Sequence, residues 1–272
     1  MVTMKKLTIF GNPLEHSFSP KLQVFFAGLC GDEIEYGRTL VPPGGFKACA
    51  DEFFKQQHGY GSNVTLPCKL DACAYADELS PWAKAAGAVN TLLQRPDGSI
   101  YGDNTDGRGL AADLKRLGCT VSGARVLIIG AGGAAQGIIL PLLHEKPASL
   151  TLVNRTEAKA FRIAVSYGEQ VKVGLFSQLH PEYDFIINAA STSLQQLLPP
   201  VADAVLSAAT VAYDLMYSDQ PTIFMRKARE LGVKQVYDGF GMLIMQGMFS
   251  YELWTGHLPD AEAAIAHFRA GH

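Results

Sequence analysis

Arg125-Val126-Leu127-Ile128-Ile129-Gly130-Ala131-Gly132-Gly133-Ala134-Ala135 decides the fold. An apolar, β-branched run stops at a glycine and gives way to small residues that open a helix over 134–144. The turn has the G-x-G-x-x-A spacing of a dinucleotide site: Gly130 makes the tight bend, Gly132 lets a pyrophosphate reach the backbone, and Ala135 lets helix and strand pack closely. Free N–H groups and the positive end of the helix dipole then face the phosphates. Glycine patterns of this kind also join strands to helices with no ligand in view. The strand before this one and the helix after it give it the context a dinucleotide turn requires.

Working outward, the chain downstream alternates short buried runs with longer amphipathic ones. Strands are predicted over 125–129, 149–153, 184–188, 211–214 and 233–237, with a helix over 222–230 between the last two. The runs are continuously apolar, as in parallel strands covered on both faces. Upstream the text is also α/β but less regular: strands over 7–10, 36–41 and 63–66, helices over 20–30 and 45–57, and a helical run ending at Leu79. Pro96-Asp97-Gly98 reads as the turn of a hairpin pairing 88–94 with 100–102. After Gly241 come helices over 242–254 and 260–270. The predicted fold class is therefore α/β, two α/β domains flanking a cleft, the second a doubly wound Rossmann-like dinucleotide-binding domain.

Composition sets outer limits. A chain of 272 residues, 48% hydrophobic and 18% charged, is ordinary globular material. Its net charge of −3 comes without a lysine or arginine run, so no nucleic-acid footprint is expected. The longest apolar runs are far shorter than the ~20 residues of a membrane span. Five cysteines without C-x-x-C spacing argue against a disulfide framework. The expectation is a cytoplasmic protein, monomer or homodimer, with a small-molecule substrate and no metal. Cys68 reads as a small core residue, close enough to the candidate chemistry for an alkylating reagent to inhibit by blocking the cleft.

The second strand chooses the cofactor. It ends Leu152-Val153-Asn154-Arg155-Thr156 with Lys159 one turn on, and no carboxylate stands before Glu157. An acidic residue here would bond the ribose of NAD; arginine instead accommodates a 2′-phosphate. NADP is preferred, and Asn154 or Thr156 can cap the following helix at the same time. Three polar stretches of the first domain are candidates for chemistry. In His16-Ser17-Phe18-Ser19-Pro20, spacing favours Ser19 as a plain helix cap before proline, although two hydroxyls at a helix start also suit an anion. In Asn63-Val64-Thr65-Leu66-Pro67-Cys68-Lys69, Asn63 and Thr65 share one face of a strand and Lys69 follows its end. Gly102-Asp103-Asn104-Thr105-Asp106-Gly107 faces Asn90 across the hairpin. A lone lysine or aspartate is most often solvated surface. A nicotinamide site, however, must protonate the alkoxide left by hydride delivery, which calls for a lysine, histidine or tyrosine beside the carbonyl.

Together with Gly11-Asn12-Pro13, Gly87-Ala88-Val89-Asn90-Thr91, the glycine turn, Asn154-Arg155-Thr156 and Asp238-Gly239-Phe240-Gly241-Met242 through Gln246, these stretches resemble, in order from about residue 7 to about residue 260, the shikimate dehydrogenase family. The resemblance implies NADPH-dependent reduction of 3-dehydroshikimate to shikimate. It implies Lys69 and Asp106 as the catalytic pair, Ser17, Ser19 and Tyr217 on the substrate carboxylate, and Asn63, Thr65, Asn90 and Gln246 on its hydroxyls. It assigns Gly130, Ala131, Gly132, Gly133 and Ala134 to the pyrophosphate, Asn154, Arg155, Thr156 and Lys159 to the adenosine phosphate, and Leu215, Gly239 and Met242 to the nicotinamide. The family returns its last helices to the first domain, so the substrate domain is expected at 1–106 plus 240–272 and the cofactor domain at 107–239. Three departures stand out: Asn188-Ala189-Ala190-Ser191-Thr192-Ser193 where the family usually reads Asn-Ala-Thr, Lys159 where it often has a second arginine, and Leu22-Gln23 in place of His-Asn. The alternatives are an NAD-linked quinate/shikimate dehydrogenase, a non-catalytic dinucleotide sensor, and a folate-linked dehydrogenase, which needs no paired serines.

Overall fold

The structure, a computed structural model, describes residues 4–190, 192 and 196–269. It divides into two compact units, Met1–Gly109 with Ile244–His272, and Leu110–Leu243. Of the departing loop after Asn188, Ser191 and Ser193 lie outside the described residues.

In chain order the first unit holds β1 (Lys5–Gly11), α1 (Ser19–Cys30), β2 (Ile34–Leu40), α2 (Phe46–Asp51), β3 (Gly61–Val64), α3 (Lys69–Tyr75), β4 (Glu78–Leu79), α4 (Pro81–Ala86), β5 (Thr91–Gln94) and β6 (Ile100–Asp103). Its sheet runs β2-β1-β3-β5-β6-β4. The hairpin forms as expected, with β5 antiparallel to both β3 and β6 and the other pairings parallel. The helix expected over 45–57 changes character midway: after α2 it becomes a π-helical turn, Glu52–Gln56. The extra residue lets consecutive Phe53 and Phe54 both enter the core, 4% and 2% exposed, where they pack on Phe10. The helical run expected to reach Leu79 stops at Tyr75, and β4 pairs with β6. Then α4 starts where Ser80 accepts a hydrogen bond from the Ala83 N–H, with Pro81 opening the helix, and it ends at left-handed Gly87.

The second unit holds α5 (Asp106–Arg116, beginning in the first), β7 (Arg125–Ile129), α6 (Gly133–His144), β8 (Ser149–Val153), α7 (Glu157–Val165), β9 (Lys172–Val173), β10 (Phe185–Asn188), α8 (Asp203–Ser207), β11 (Val211–Asp214), α9 (Ile223–Glu230) and β12 (Gln235–Tyr237). The tail helices α10 (Phe240–Thr255) and α11 (Ala261–Arg269) follow. The sheet is wholly parallel in the order β12-β11-β10-β7-β8-β9. This is the doubly wound arrangement, with the direction of winding reversing between β7 and β10. β7 shows why: Val126 and Ile128 enter the core with Ile138 and Leu142 of α6, while Leu127 and Ile129 enter another with Ile186 and Phe224. A strand buried on both faces has no reason to alternate.

Gly239 illustrates how tightly the second unit closes. A Cβ there would lie 2.0 Å from the Leu215 carbonyl oxygen, a backbone atom with nowhere to go. Gly239→Ala is expected to destabilise the fold by about 2–3 kcal/mol, read as a lower urea midpoint with an unchanged slope.

Candidate active site

Lys69 opens α3 and Asp106 opens α5, and the lysine Nζ donates to Asp106 Oδ2 at 2.6 Å. An ammonium at a helix start gains nothing from the dipole, so the carboxylate is what holds it. The other oxygen of Asp106, Oδ1, accepts from Asn90 Nδ2 at 2.8 Å. The loop carrying Asp106 is itself fastened down. Asp103, buried, accepts from Ser80 Oγ at 2.5 Å and from the Asn104 N–H at 2.8 Å, and pairs with Arg108. Asn104 donates to the Ala88 carbonyl and accepts from the Asp106 N–H, at 3.0 and 3.1 Å. A buried carboxylate without partners is costly; here every oxygen of Asp103 is engaged, and the loop has one geometry.

From Asn90 the hydrogen bonds continue. Its amide reaches Thr105 Oγ1 at 2.9 Å and Gln246 Oε1 at 3.3 Å, and its oxygen accepts from Thr91 Oγ1 and the Thr105 N–H. Thr91 meets Ser250 Oγ at 2.8 Å, Ser250 accepts from Asn63 Nδ2 at 3.1 Å, and Asn63 Oδ1 accepts from the Tyr36 hydroxyl at 2.6 Å. Burial pushes the Tyr36 phenol well above its ordinary range, so it stays a neutral donor, with the Ser19 hydroxyl beside it. The structure thus brings Asn63, Asn90, Gln246, Lys69 and Asp106 into one continuous polar network. Side-chain networks of this kind hold their members in a common geometry.

Tyr36 and Ser250 are members that sequence reasoning missed, and Thr91 and Thr105 lie in the motifs it singled out but without a role assigned to them. Ser250 carried one usable signal, standing four residues after Gln246 on the same face of α10. Three expectations are corrected. Ser19 is not the cap of α1: the helix begins at Ser19 itself, and Phe18 in the capping position makes no side-chain bond. That leaves the hydroxyl available for something other than the helix. Thr65 does not lie on the strand with Asn63, because β3 ends at Val64; Pro67 has no N–H to extend a ladder, and Cys68 closes a turn onto the Thr65 carbonyl. Thr65 is held instead against Gly11, where a Cβ would lie 2.4 Å from Thr65 Cγ2. Cys68 is 1% exposed and burial pushes its thiol up, so it is not the accessible nucleophile an alkylating reagent needs.

In the second unit the turn after β7 joins the strand to α6 through glycines. Gly130 has φ +114°, and a Cβ there would crowd Ala189 and Ala190 at 3.0 Å, so glycine is required twice over. Gly132 and Gly133 are glycine for a different reason: a Cβ at either would meet nothing within 4 Å. Packing does not demand them, and without side chains they leave the backbone open to close approach. Gly132 starts α6 with no side-chain cap, and the first turn carries no acidic residue. The first N–H groups of α6 therefore point outward without a competing acceptor, as a pyrophosphate requires. Beyond β8, Asn154 donates to the Thr156 carbonyl at 2.9 Å, while Thr156 makes no capping bond and Arg155 and Lys159 are exposed. Gly239 packs on Leu215, and Met242 joins the same core, so these three stand together. Tyr217 is 39% exposed with its ring against Phe240. Among the described residues no cluster of acidic, histidine or cysteine side chains could hold a metal, and no helix is long and apolar enough to cross a membrane.

Three family profiles match along the chain: the shikimate dehydrogenase substrate binding domain over residues 9–92, shikimate / quinate 5-dehydrogenase over 112–209, and the shikimate 5'-dehydrogenase C-terminal domain over 239–266. A curated relative from Shewanella halifaxensis, shikimate dehydrogenase (NADP(+)), is 45% identical over 269 residues, covering 98% of this chain and 96% of its own. The chain belongs to the shikimate dehydrogenase family. Solved structures agree along nearly the whole length. An Ael1 enzyme from Pseudomonas putida superposes with a TM-score of 0.93 at 36% identity, covering 97% of both chains. Shikimate 5-dehydrogenase from Thermus thermophilus, solved with NADP(H) and shikimate, superposes at 0.85 with 30% identity, covering 95% of this chain and 96% of its own. The two-sheet α/β architecture is therefore that of the shikimate dehydrogenase family.

Proposed function

We propose that this chain is an NADP-dependent shikimate dehydrogenase, interconverting 3-dehydroshikimate and shikimate, with Lys69 and Asp106 as its acid/base pair. The observation that carries the reading is the 2.6 Å Lys69–Asp106 contact, tied through Asn90 to Gln246 and, through Ser250, to Asn63. When bound, the nicotinamide exchanges a hydride with the ring carbon of the substrate. Lys69 Nζ donates to the oxygen on that carbon and supplies the proton that turns alkoxide into hydroxyl; in the reverse direction the pair takes it back. Asp106 holds the ammonium in place, and Asn90 holds Asp106.

The remaining assignments are those that membership of the family implies for these positions. Ser17 and Ser19, with Tyr217, take the substrate carboxylate, and Asn63, Thr65, Asn90 and Gln246 take its hydroxyls. Gly130 to Ala134 take the pyrophosphate, Asn154 to Lys159 the adenosine phosphate, and Leu215, Gly239 and Met242 the nicotinamide. The substrate domain would comprise the first unit and the cofactor domain the second. The proposed setting is the cytoplasm, as a monomer or homodimer.

Initial rates with shikimate and quinate, each with NADP and NAD, test the reading. Shikimate with NADP is expected to exceed the other three combinations by at least about tenfold in kcat/KM, the worth of one charge-assisted hydrogen bond. A maximum for quinate with NAD would make the protein a quinate dehydrogenase instead. Binding of NADP without oxidation of either alcohol would leave a sensor.

A further inference from the structure

Between α6 and α7 lies a groove of about 430 Å³ lined by Ala131, Gln136, Lys159, Arg162, Ile163 and Ser166. Ala131 belongs to the glycine turn, so the groove begins where the pyrophosphate is placed and runs along α7. Lys159 and Arg162 stand three residues apart on one face of that helix, and Arg155 stands just before it. Four other arginines find carboxylates, Arg95 with Glu78, Arg108 with Asp103, Arg116 with Asp113 and Arg125 with Asp184, while Arg38 and Arg226 bond carbonyl oxygens. Arg155, Lys159 and Arg162 make no ion pair among the described residues. Like charges three apart on a helix repel, and nothing acidic in the groove relieves them. An anion in the groove would turn that repulsion into attraction.

We propose that Arg162 determines cofactor specificity, forming with Lys159 one jaw of a clamp for the 2′-phosphate of NADP whose other jaw is Arg155. The inference rests on the NADP reading above. A phosphate dianion is matched poorly by a single lysine, which is a compact, strongly hydrated point charge; a guanidinium offers a planar fork that engages two oxygens at once. Lys159 occupies the position nearest the strand, and Arg162, one turn on, supplies the fork that Lys159 lacks. Ile163, buried beneath them, gives the groove a floor that keeps both cations at the surface.

Calorimetric titration of the protein with adenosine 2′,5′-bisphosphate and with adenosine 5′-monophosphate separates the inference from the reading beneath it. The variants are Arg162→Gln and Arg155→Gln, both at exposed positions. Arg162→Gln is expected to weaken the bisphosphate about tenfold, leave the monophosphate within twofold, and flatten the salt dependence of bisphosphate binding; Arg162→Lys is expected to recover only part of the loss. Bisphosphate binding unchanged in Arg162→Gln but lost in Arg155→Gln overturns the inference and leaves the NADP reading standing. Equal weakening of both nucleotides in Arg162→Gln also overturns it, placing the residue on the adenosine. A wild-type protein that binds the two nucleotides equally overturns the NADP reading itself.

Discussion

Lys69→Met is expected to lower kcat by about a thousandfold while the KM for shikimate moves by less than about threefold. Methionine keeps an unbranched, flexible side chain of similar length and removes the ammonium. In the proposed mechanism the group lost is the one that meets the oxygen as charge develops on it, an interaction stronger in the transition state than in the ground state, so the loss falls on turnover. Binding should survive because the residues proposed to take the hydroxyls do not depend on Lys69: Asn90 is held by Thr105 and Thr91, and Asn63 by Tyr36 and Ser250. Steady-state kinetics on a variant whose melting temperature is within a few degrees of wild type decide the matter. Near-normal turnover would remove Lys69 from the chemistry; a large rise in KM at constant kcat would make it a binding residue.

The second unit was legible because its signal is local. A strand covered on both faces must be apolar throughout, and the turn after Ile129 must be glycine for steric reasons that Gly130 alone displays. The two-residue β9 escaped because so short an edge strand has no pattern of its own; it exists only because β8 lies beside it. The same holds in the first unit for β4, which is a strand by virtue of β6. Of the site, the motifs were readable as polar stretches, but neither their chemistry nor their meeting was. Lys69 and Asp106 are 37 residues apart and came together through family resemblance rather than through spacing. Ser250 and Tyr36 carry no motif: a hydroxyl becomes part of a site only when β2, β3, β5 and α10 converge, which is a property of the fold. Ser19 misleads for the opposite reason. Serine before proline is a good cap in isolation, and only the position of the first helical turn shows that the cap is not used.

Asp106→Asn should cost about a hundredfold in kcat, less than the loss of Lys69, and the double variant with Lys69→Met should be no slower than Lys69→Met alone. The two carboxylate oxygens have separate tasks, Oδ2 receiving Lys69 Nζ and Oδ1 receiving Asn90 Nδ2. Both partners are donors only at those contacts, so an amide, with one acceptor and one donor, must turn its NH₂ toward one of them. If it faces Lys69, the ammonium is released from its position; if it faces Asn90, the substrate-facing amide is displaced and KM rises as well. Either way the negative charge is gone and the lysine has lost the partner that offsets its place at the start of α3. With Lys69 already removed, Asp106 has no ammonium to place, and its own substitution has little left to spoil. The kinetic cycle of wild type, two single variants and the double variant measures this directly. Losses that multiply would mean the two groups act independently, and the coupled acid/base pair would have to be abandoned.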